Sequence, residues 1–356
     1  MKNPLPAGKS STASPPIPAL KYPWHTPPAQ GAMHEVADGV FWIRMPLPFA
    51  LDHINLWLLA DGEGWTLVDC GICNKDTKSL WHSLLAKHDQ RPLKRIIVTH
   101  FHPDHLGLAG WLQAETAAQL WMTRAEWQKG SRLYQDTGNK FSDLQVALFR
   151  RHGLQQARLA AAARGGNRYR TLISRPPTDF QPISDDEQIT VGAHSWRVIV
   201  GAGHAPEHAC LHCEDLGVLI SGDQILPRIT PNISLSASEP DANPLKLYLD
   251  SLQRFTGLPE RTLVLPSHGA PFYGLQLRLH QIREHHHERL EALFDACREP
   301  HTAAEMMSVM FKRELDDHQV MFAMGESLSH LAFLKHQNRL TSKAGDRGIV
   351  HYWQGL

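Results

Sequence analysis

The sequence predicts an α/β protein with a helical insert and a mostly helical C-terminal domain. Two blocks, at about 39–69 and 187–223, contain short runs of Val, Ile, Leu and Trp bounded by turn residues, which is typical of β-strands. Between them, residues 123–164 carry apolar residues at helical spacing, and most of the chain after about residue 274 does so again.

The first strand block begins with GVFWIRMPLP and continues with INLWLLADGEGWTLVDCG, in which ADGEG is a turn between two strands. Residues 75–88 then have helical spacing. Residues 93–100 form a short apolar run, which predicts a buried strand. From Asp104 to about Ala114 the pattern is helical, so a strand should end and a helix begin close to His100.

The helical insert is expected at about 123–170, and its long helices end at GGN, a plausible helix stop. Strands resume with EQITV, SWRVIVGAG, ACLHCE and GVLISGD. An amphipathic helix is expected at 244–255 and a strand at 262–269. From Gly274 the chain is mostly helical and ends in GIVHYW, which predicts a short strand.

These patterns divide the chain into three expected parts. Residues 1–30 are rich in Pro, Ser and Ala, and we expect them to be disordered. Residues 31–273 should form the main domain, including the insert. Residues 274–356 should form a helical, winged-helix-like C-terminal domain, which we expect to pack against the main domain or to form a homodimer.

The composition gives no support to two classes of protein, those that bind nucleic acid through phosphate charge and those that span a membrane. Hydrophobic residues make up 42% of the 356 residues, and 36 basic residues balance 36 acidic ones. This balance gives no support to binding of nucleic acid through phosphate charge. No apolar run approaches the roughly 20 residues of a membrane-spanning helix, and the N-terminus lacks the apolar centre of a signal peptide. We therefore expect a cytoplasmic protein without a membrane partner.

Two C-x-x-C pairs suggest a zinc ribbon but do not fit one. Cys70 and Cys73 lie far from Cys210 and Cys213, whereas a ribbon separates its pairs by roughly 15–20 residues. Cys210 and Cys213 also lie on a predicted strand, where residues three apart face opposite sides. We expect reduced, partly buried thiols.

A denser group of metal-binding residue types lies at the end of the strand 93–100, in the sequence VTHFHPDHLGLAG. His100 and His102 are two apart on an extended segment, so their rings point to one side. Pro103 suits the first position of a helix, which places Asp104 and His105 in its first turn. Imidazole and carboxylate ligands suit zinc, iron or manganese.

Three more candidates follow strands elsewhere in the chain. His204 lies in a glycine-flanked loop after SWRVIV, Asp223 follows GVLISG, and His268 follows TLVLPS. Loops at strand ends are where α/β proteins place their chemistry. His208, four residues after His204, is expected to have a loop or packing role. The histidines of EHHHERL, at 285–287, fan around a predicted helix and are expected to face solvent.

These motifs resemble the metallo-β-lactamase-fold hydrolase superfamily over about Gly39 to Phe272. Asp69 in LVDCG, the 100–105 cluster, His204, Asp223 and His268 occur in the family's order. The resemblance implies a four-layer αββα sandwich with metals at one edge. The chain departs from the family at Cys70, where Thr or Ser is common after the Asp.

The resemblance also implies a role for each residue. His100, His102 and His204 would hold a first metal, and Asp223 would bridge to a second. Asp69 would orient ligands without binding metal. The ligands of the second metal would be Asp104, His105 and His268. Two divalent ions are expected, with zinc first and iron or manganese as alternatives.

A dinuclear site of this kind can activate a metal-bridging hydroxide for attack on a carbonyl. We expect hydrolysis of a small ester, thioester or lactone. Asp223 resembles the glyoxalase II, lactonase and nuclease branches, which makes β-lactam cleavage the weaker expectation. The open alternatives are a phosphodiesterase or endoribonuclease, a mononuclear iron persulfide dioxygenase, and a catalytically silent metal-binding or interaction protein.

Candidate contacts to a small-molecule substrate flank these motifs. Arg228 and Asn232 follow Asp223, Tyr273 follows His268, and His53 lies near a loop that borders the site in relatives. Aromatic residues of the insert could line an apolar pocket, although aromatics at this spacing are more often core. These residues are Trp121, Trp127, Phe141 and Phe149.

Overall fold

The computed structural model describes residues 19–88, 91–164, 167–345 and 347–355, and two β-sheets pack face to face at its centre. The first sheet is antiparallel from β1 to β4 and parallel from β4 to β7. Its strands, in spatial order, are β1 (Met33–Ala37), β2 (Val40–Pro46), β3 (His53–Asp61), β4 (Gly64–Val68), β5 (Leu93–Ile97), β6 (Gln119–Thr123) and β7 (Phe180–Ile183).

The second sheet is antiparallel except for one parallel pair, β11 with β12. Its strands run in the spatial order β12, β11, β10, β9, β8. They are β8 (Gln188–Val191), β9 (His194–Gly201), β10 (His208–Cys213), β11 (Val218–Gly222) and β12 (Leu263–Pro266). A separate hairpin of β13 (Leu340–Ala344) and β14 (Val350–Gln354) ends the chain's regular structure.

Helices cover the outer faces of both sheets. In chain order they are α1 (Lys75–Lys87), α2 (Pro103–Leu106), α3 (Ala109–Thr116), α4 (Arg124–Gln135), α5 (Lys140–Arg151), α6 (Gln156–Arg164), α7 (Arg168–Leu172), α8 (Pro244–Ser251), α9 (Leu275–Ala296), α10 (Ala303–Met310) and α11 (Asp317–His336), with a 3₁₀ turn at Leu252–Phe255. None of the helices in the described part of the chain is both long and apolar enough to cross a membrane.

Alternating side chains divide the interior into three apolar layers. One layer lies between the first sheet and helices α1 and α3. A second lies between the sheets and includes Trp42, Trp57 and Trp196. The third lies between the second sheet and α8, α9 and the C-terminal helices. This order of helices, sheet, sheet and helices confirms the expected αββα sandwich. Cys210 and Cys213 belong to different layers, as their spacing on β10 predicts.

Several boundaries differ from the sequence predictions. The helix expected from Asp104 to about Ala114 is divided into α2 and α3. Strands β1, β6 and β7 were not predicted, because each has only four or five residues and a weak apolar pattern. Residues 1–18 of the predicted disordered segment lie outside the described residues. Residues 19–30 do not fit the prediction, since the backbone of Lys21 pairs with Tyr273.

A buried carboxylate, Asp61 at the end of β3, joins the two sheets. It accepts hydrogen bonds from the Thr66 hydroxyl at 2.8 Å, from Arg95 at 2.8 Å and from the backbone N–H of Gly192 at 3.0 Å. Gly192 lies in the β8–β9 turn of the second sheet. Burial alone would raise the pKa of Asp61, but these hydrogen bonds lower it below its ordinary value.

We predict that Asp61→Asn lowers the free energy of unfolding at pH 7 by about 1–3 kcal/mol, because a buried amide cannot accept all three hydrogen bonds. The folded state lowers the carboxyl pKa, so this stabilisation is complete above about pH 4 and is lost as the pH falls through the lowered pKa. Denaturant unfolding from pH 3 to 8 should show the difference from wild type shrinking on acidification. Asp38→Asn, at an exposed position, is the control, and an equal loss there would contradict the prediction.

Candidate metal centre

The seven predicted ligand residues meet at one edge of the sandwich. His100 and His102 follow β5, with Asp104 and His105 on α2, while His204, Asp223 and His268 follow β9, β11 and β12. Both sheets therefore contribute, and the candidate site spans the gap between them. Within the described residues, two groups of ligand atoms each lie within 4.8 Å of one another: His100, His102, His204 and Asp223 in one, and Asp104, His105 and His268 in the other.

The first group is formed by three imidazoles and one carboxylate oxygen. His100 Nε2 lies 2.9 Å from His102 Nδ1 and 3.2 Å from His204 Nε2. Asp223 Oδ2 lies 3.4 Å from His204 Nε2 and 4.0 Å from His100 Nε2. Nitrogen and oxygen atoms from four side chains thus surround one point.

The second group lies beside the other oxygen of the same carboxylate. Asp223 Oδ1 lies 3.3 Å from His268 Nε2 and 3.6 Å from His105 Nε2. Asp104 Oδ2 lies 3.4 Å from His268 Nε2 and 3.6 Å from His105 Nε2. Asp223 therefore presents one oxygen to each group, which is the geometry expected of a bridging ligand.

Hydrogen bonds on the far side of three rings leave their Nε2 atoms free to bind. The Nδ1 of His204 donates to the carbonyl of Asn232 at 2.8 Å, and that of His268 to the carbonyl of His53 at 2.8 Å. The Nδ1 of His105 lies 2.7 Å from Asp69 Oδ2. Such outer partners fix the ring orientation and tautomer of metal-binding histidines.

Asp69 is placed to orient rather than to bind. Its oxygens accept hydrogen bonds from the backbone N–H of Thr99 at 2.8 Å and from His105, and the Thr99 hydroxyl lies 3.0 Å away. Asp69 has a φ of 61°, a left-handed conformation that is uncommon outside glycine. These contacts agree with the orienting role that the resemblance implied.

The turn that carries the first ligands depends on Pro103 and Gly107. Pro103 occupies the first turn of α2, as expected, and His102 is the residue that precedes the helix. A Cβ at residue 107 would lie within 2.5 Å of the Gly71 carbonyl oxygen. Glycine therefore allows α2 to pack directly against the chain that follows Asp69.

The donor atoms fit a divalent cation. His105 Nε2 and Asp223 Oδ1 are buried without a hydrogen-bond partner, which is costly unless something else satisfies them. Burial lowers the pKa of His100 and His102 well below the ordinary value. Burial opposes ionisation of Asp104, but His105 and His268 lower its pKa to about 2. Burial would also lower the pKa of His105 and His268, but the neighbouring carboxylates raise it above the ordinary value. Neutral imidazoles and ionised carboxylates are the forms that bind metal, so a cation that binds these two rings would displace protons from them.

Two buried polar residues support the ligand loops and were not singled out from the sequence. Asn55 on β3 donates from its amide to the carbonyls of Pro266 at 2.9 Å and Gly269 at 2.8 Å, on both sides of His268. Glu126 on α4 accepts hydrogen bonds from the backbone N–H groups of Phe101 at 3.0 Å and Glu207 at 2.6 Å.

Glu126 thus joins the loop of His100 and His102 to the loop of His204. It is fully buried, and burial raises its pKa to about 7. His208 has a related role, since its Nε2 accepts a hydrogen bond from the backbone N–H of Asp223 at 3.1 Å. In the sequence, Glu126 resembles any charged residue of an amphipathic helix.

The candidate substrate contacts lie in different environments. Arg228 is exposed, and its guanidinium lies over the ring of Tyr22 at 5.7 Å. The backbone of Tyr273 pairs with Lys21, and its side chain packs against the layer between the sheets. These placements leave their substrate roles as predictions.

His53 and Asn232 instead contact candidate ligands. His53 Nδ1 lies 2.6 Å from Asp52, and its Nε2 accepts from the Gly269 N–H at 3.0 Å, so both ring nitrogens have protein partners. The backbone carbonyl of His53 orients the His268 ring, and the backbone carbonyl of Asn232 orients the His204 ring. The insert aromatics Trp127 and Phe149 pack in the core, the first against Phe180 at 4.5 Å.

Fold and site together define a class of protein. The sequence-family model of the metallo-beta-lactamase superfamily matches residues 50–268, more than half of the chain. The family model of the metallo-beta-lactamase-like C-terminal domain matches residues 290–355. The chain belongs to this superfamily, as the motifs predicted. The family implies divalent metals, and the two groups of ligand atoms could hold them.

Two solved structures are similar to this chain over almost their whole length. A beta-lactamase domain protein from Burkholderia ambifaria is 44% identical, with a TM-score of 0.88, and covers 94% of this chain and 98% of its own. A metallo-beta-lactamase family protein from Thermus thermophilus is 28% identical, with a TM-score of 0.76, and covers 89% of this chain and 99% of its own.

More distant relatives carry functional names. The lactamase-like protein vrtG of Penicillium aethiopicum is 24% identical over 67% of this chain, and the chain spans 58% of its length. The human acyl-coenzyme A thioesterase MBLAC2 is 26% identical over 54% of this chain, which spans 66% of that protein. The atrochrysone carboxyl ACP thioesterase of Aspergillus fumigatus is 23% identical over 76% of this chain and 69% of its own length.

We predict that Glu126→Gln weakens metal binding by about tenfold or more at pH 8, where the carboxylate is ionised. Only one side-chain atom of glutamine can accept a hydrogen bond, so one of the two ligand loops loses its partner. Zn²⁺ titration against a chromophoric chelator measures the effect. Glu115→Gln, on an exposed position of α3, is the matched control, and unchanged affinity in Glu126→Gln would contradict the prediction.

Proposed function

We propose that the protein is a dinuclear zinc-dependent thioesterase that hydrolyses small acyl thioesters. The observation that carries the proposal is the position of Asp223, whose two oxygens face different groups of ligand atoms. One group would hold a first cation through three histidines. The other would hold a second cation through Asp104, His105 and His268, with Asp223 shared.

When bound, two such cations supply a Lewis acid for the substrate carbonyl and a water of lowered pKa. The chain's own residues determine what reaches them. The side chain of Asp104 is 18% exposed, whereas those of His105 and His100 are fully buried. Substrate would therefore approach from the side of Asp104.

The choice of a thioester follows from the leaving group. Within the described residues of the site, the rings of His53 and His208 already have protein partners. The nitrogens of the candidate ligand histidines point to the centre or to hydrogen-bond partners on the far side of the ring. None is free to protonate a strongly basic leaving group. A thiolate, with a pKa near 8.5 in water, leaves without a general acid. The thioesterase names of two relatives support the same choice.

An exposed apolar patch beside the first group suits an acyl chain. Phe322 is 48% exposed, and its ring lies 4.9 Å from that of His318, which in turn lies 6.1 Å from Phe49. The backbone carbonyl of Phe322 accepts a hydrogen bond from Asn232, the residue that orients His204. The patch therefore lies near the proposed reacting centre.

We expect the purified protein to contain two zinc ions per chain and to hydrolyse an acyl-CoA thioester. Chelation should abolish this activity, and Zn²⁺ should restore it. A panel of an acyl-CoA, a lactone, a β-lactam and a bis-aryl phosphodiester, with oxygen consumption on glutathione persulfide, separates the alternatives. Turnover of the phosphodiester alone would contradict the proposal in favour of a phosphodiesterase. One iron per chain with oxygen uptake would contradict it in favour of a persulfide dioxygenase.

Arg228 provides a test of substrate class. It follows Asp223 in the chain and is exposed, so we expect its guanidinium to attract the phosphates of CoA. Arg228→Ala should raise KM for an acyl-CoA by about 2–5-fold, the size of an exposed charge interaction, with kcat unchanged. KM for an uncharged N-acetylcysteamine thioester should not change. Equal KM values for the acyl-CoA in both proteins would exclude this role.

A further inference from the structure

We propose that helix α11 of the C-terminal region positions the candidate ligand His204, with Asn232 as the connecting residue. The proposal rests on the metal centre of the proposed function and adds a second region of the chain to it. Under this proposal Asn232 is a positioning residue, not a substrate contact, and the C-terminal region is required for full metal affinity.

The connection begins at the imidazole. The Nδ1 of His204 donates to the backbone carbonyl of Asn232 at 2.8 Å. A shift of that carbonyl would rotate or displace the ring and move its Nε2 away from His100 and Asp223. The position of residue 232 therefore determines whether the first group of ligand atoms can converge.

The segment around Asn232 is hydrogen-bonded to α11. The side-chain amide of Asn232 donates to the Phe322 carbonyl at 3.3 Å, and the N–H of Leu235 donates to the Gly325 carbonyl at 3.1 Å. Both acceptors are backbone groups of the helix, so the segment lies directly on the helix surface. Ile233 between them is fully buried.

A buried carboxylate of α11 reinforces this contact. Glu326, the neighbour of Gly325 on the helix, is 7% exposed, and Arg289 on α9 donates to it at 2.7 Å. Breaking a buried ion pair of this kind is strongly unfavourable. The pair thus fixes α11 against α9 at the place where the segment of Asn232 contacts α11.

Gly325 permits the close approach. Glycine is unfavourable inside a helix because it lowers helix propensity, so its presence on α11 calls for a reason. A Cβ at residue 325 would lie 2.5 Å from Ser234 Oγ and 2.8 Å from Ser234 Cβ. Any larger residue would separate the helix from the segment that carries Asn232. The same Cβ would lie 3.5 Å from Ser234 Cα, an ordinary contact, so a glycine at 234 would accommodate it.

A compensating pair of substitutions tests the proposal. Gly325→Ala should weaken the binding of one of two Zn²⁺ equivalents by about tenfold or more and leave the other unchanged, measured by competition with a chromophoric chelator. The absorption of the Co²⁺-substituted protein should change in the same variant. In a Ser234→Gly background, Gly325→Ala should have no further effect. Gly257→Ala, where a Cβ meets nothing within 4 Å, is the control.

Three results would overturn the proposal: wild-type affinity in folded Gly325→Ala, equal weakening of both equivalents, or no rescue by Ser234→Gly. If Gly325→Ala does not fold, Asn232→Ala decides, since it removes the side-chain hydrogen bond to the Phe322 carbonyl of α11 and keeps the backbone carbonyl of residue 232. It should weaken one equivalent with KM unchanged. A raised KM with unchanged metal affinity would instead assign Asn232 to the substrate. Metal binding by the wild-type chain is measured before any variant is compared. A wild-type chain that binds no metal would contradict the proposed function itself.

Discussion

The carboxylate of Asp223 imposes the constraint on which the site depends. It is buried between two sets of imidazoles, with one oxygen 3.4 Å from His204 and the other 3.3 Å from His268. A buried carboxylate in this position is stable only where positive charge and fixed donors surround it. The donors come from both sheets, so their convergence depends on the separation of the sheets. The tryptophan-rich layer between the sheets, with Trp42, Trp57 and Trp196 fully buried, fills that space.

Three of the candidate ligand rings are held by different parts of the fold. His105 contacts Asp69 after β4, His268 contacts the carbonyl at the start of β3, and His204 contacts Asn232 on the segment that lies against α11. Preorganisation of a metal centre requires such outer contacts, because a ring free to rotate binds metal weakly. The helical insert contributes through Glu126 on α4. The insert therefore contacts the backbone of two ligand loops, and the C-terminal region contacts the segment whose carbonyl orients the His204 ring.

The histidines at 285–287 show how a local pattern can mislead. On the sequence they are consecutive polar residues of an amphipathic helix and are expected to face solvent. In the structure His286 is fully buried and lies 3.1 Å from His330 of α11, so the prediction was wrong for that residue. Helix α9 is covered by the sandwich on one side and by α11 on another, and a residue between them is buried whatever its polarity. The apolar pattern of one helix does not show where a second helix will pack against it.

The sequence alone predicted the class of fold and the seven donor residues through the resemblance of its motifs to a known family, because those motifs are local patterns at strand ends. His100 to His105 lie within six consecutive positions, and the others follow recognisable strands. The tertiary structure decided how those donors are held. His268 and His53 are 215 residues apart, and Gly325 is matched to Ser234 through a gap too narrow for a methyl group. Such contacts arise only when distant elements pack, and the free energy of packing depends on the whole chain and not on the pattern of any one segment.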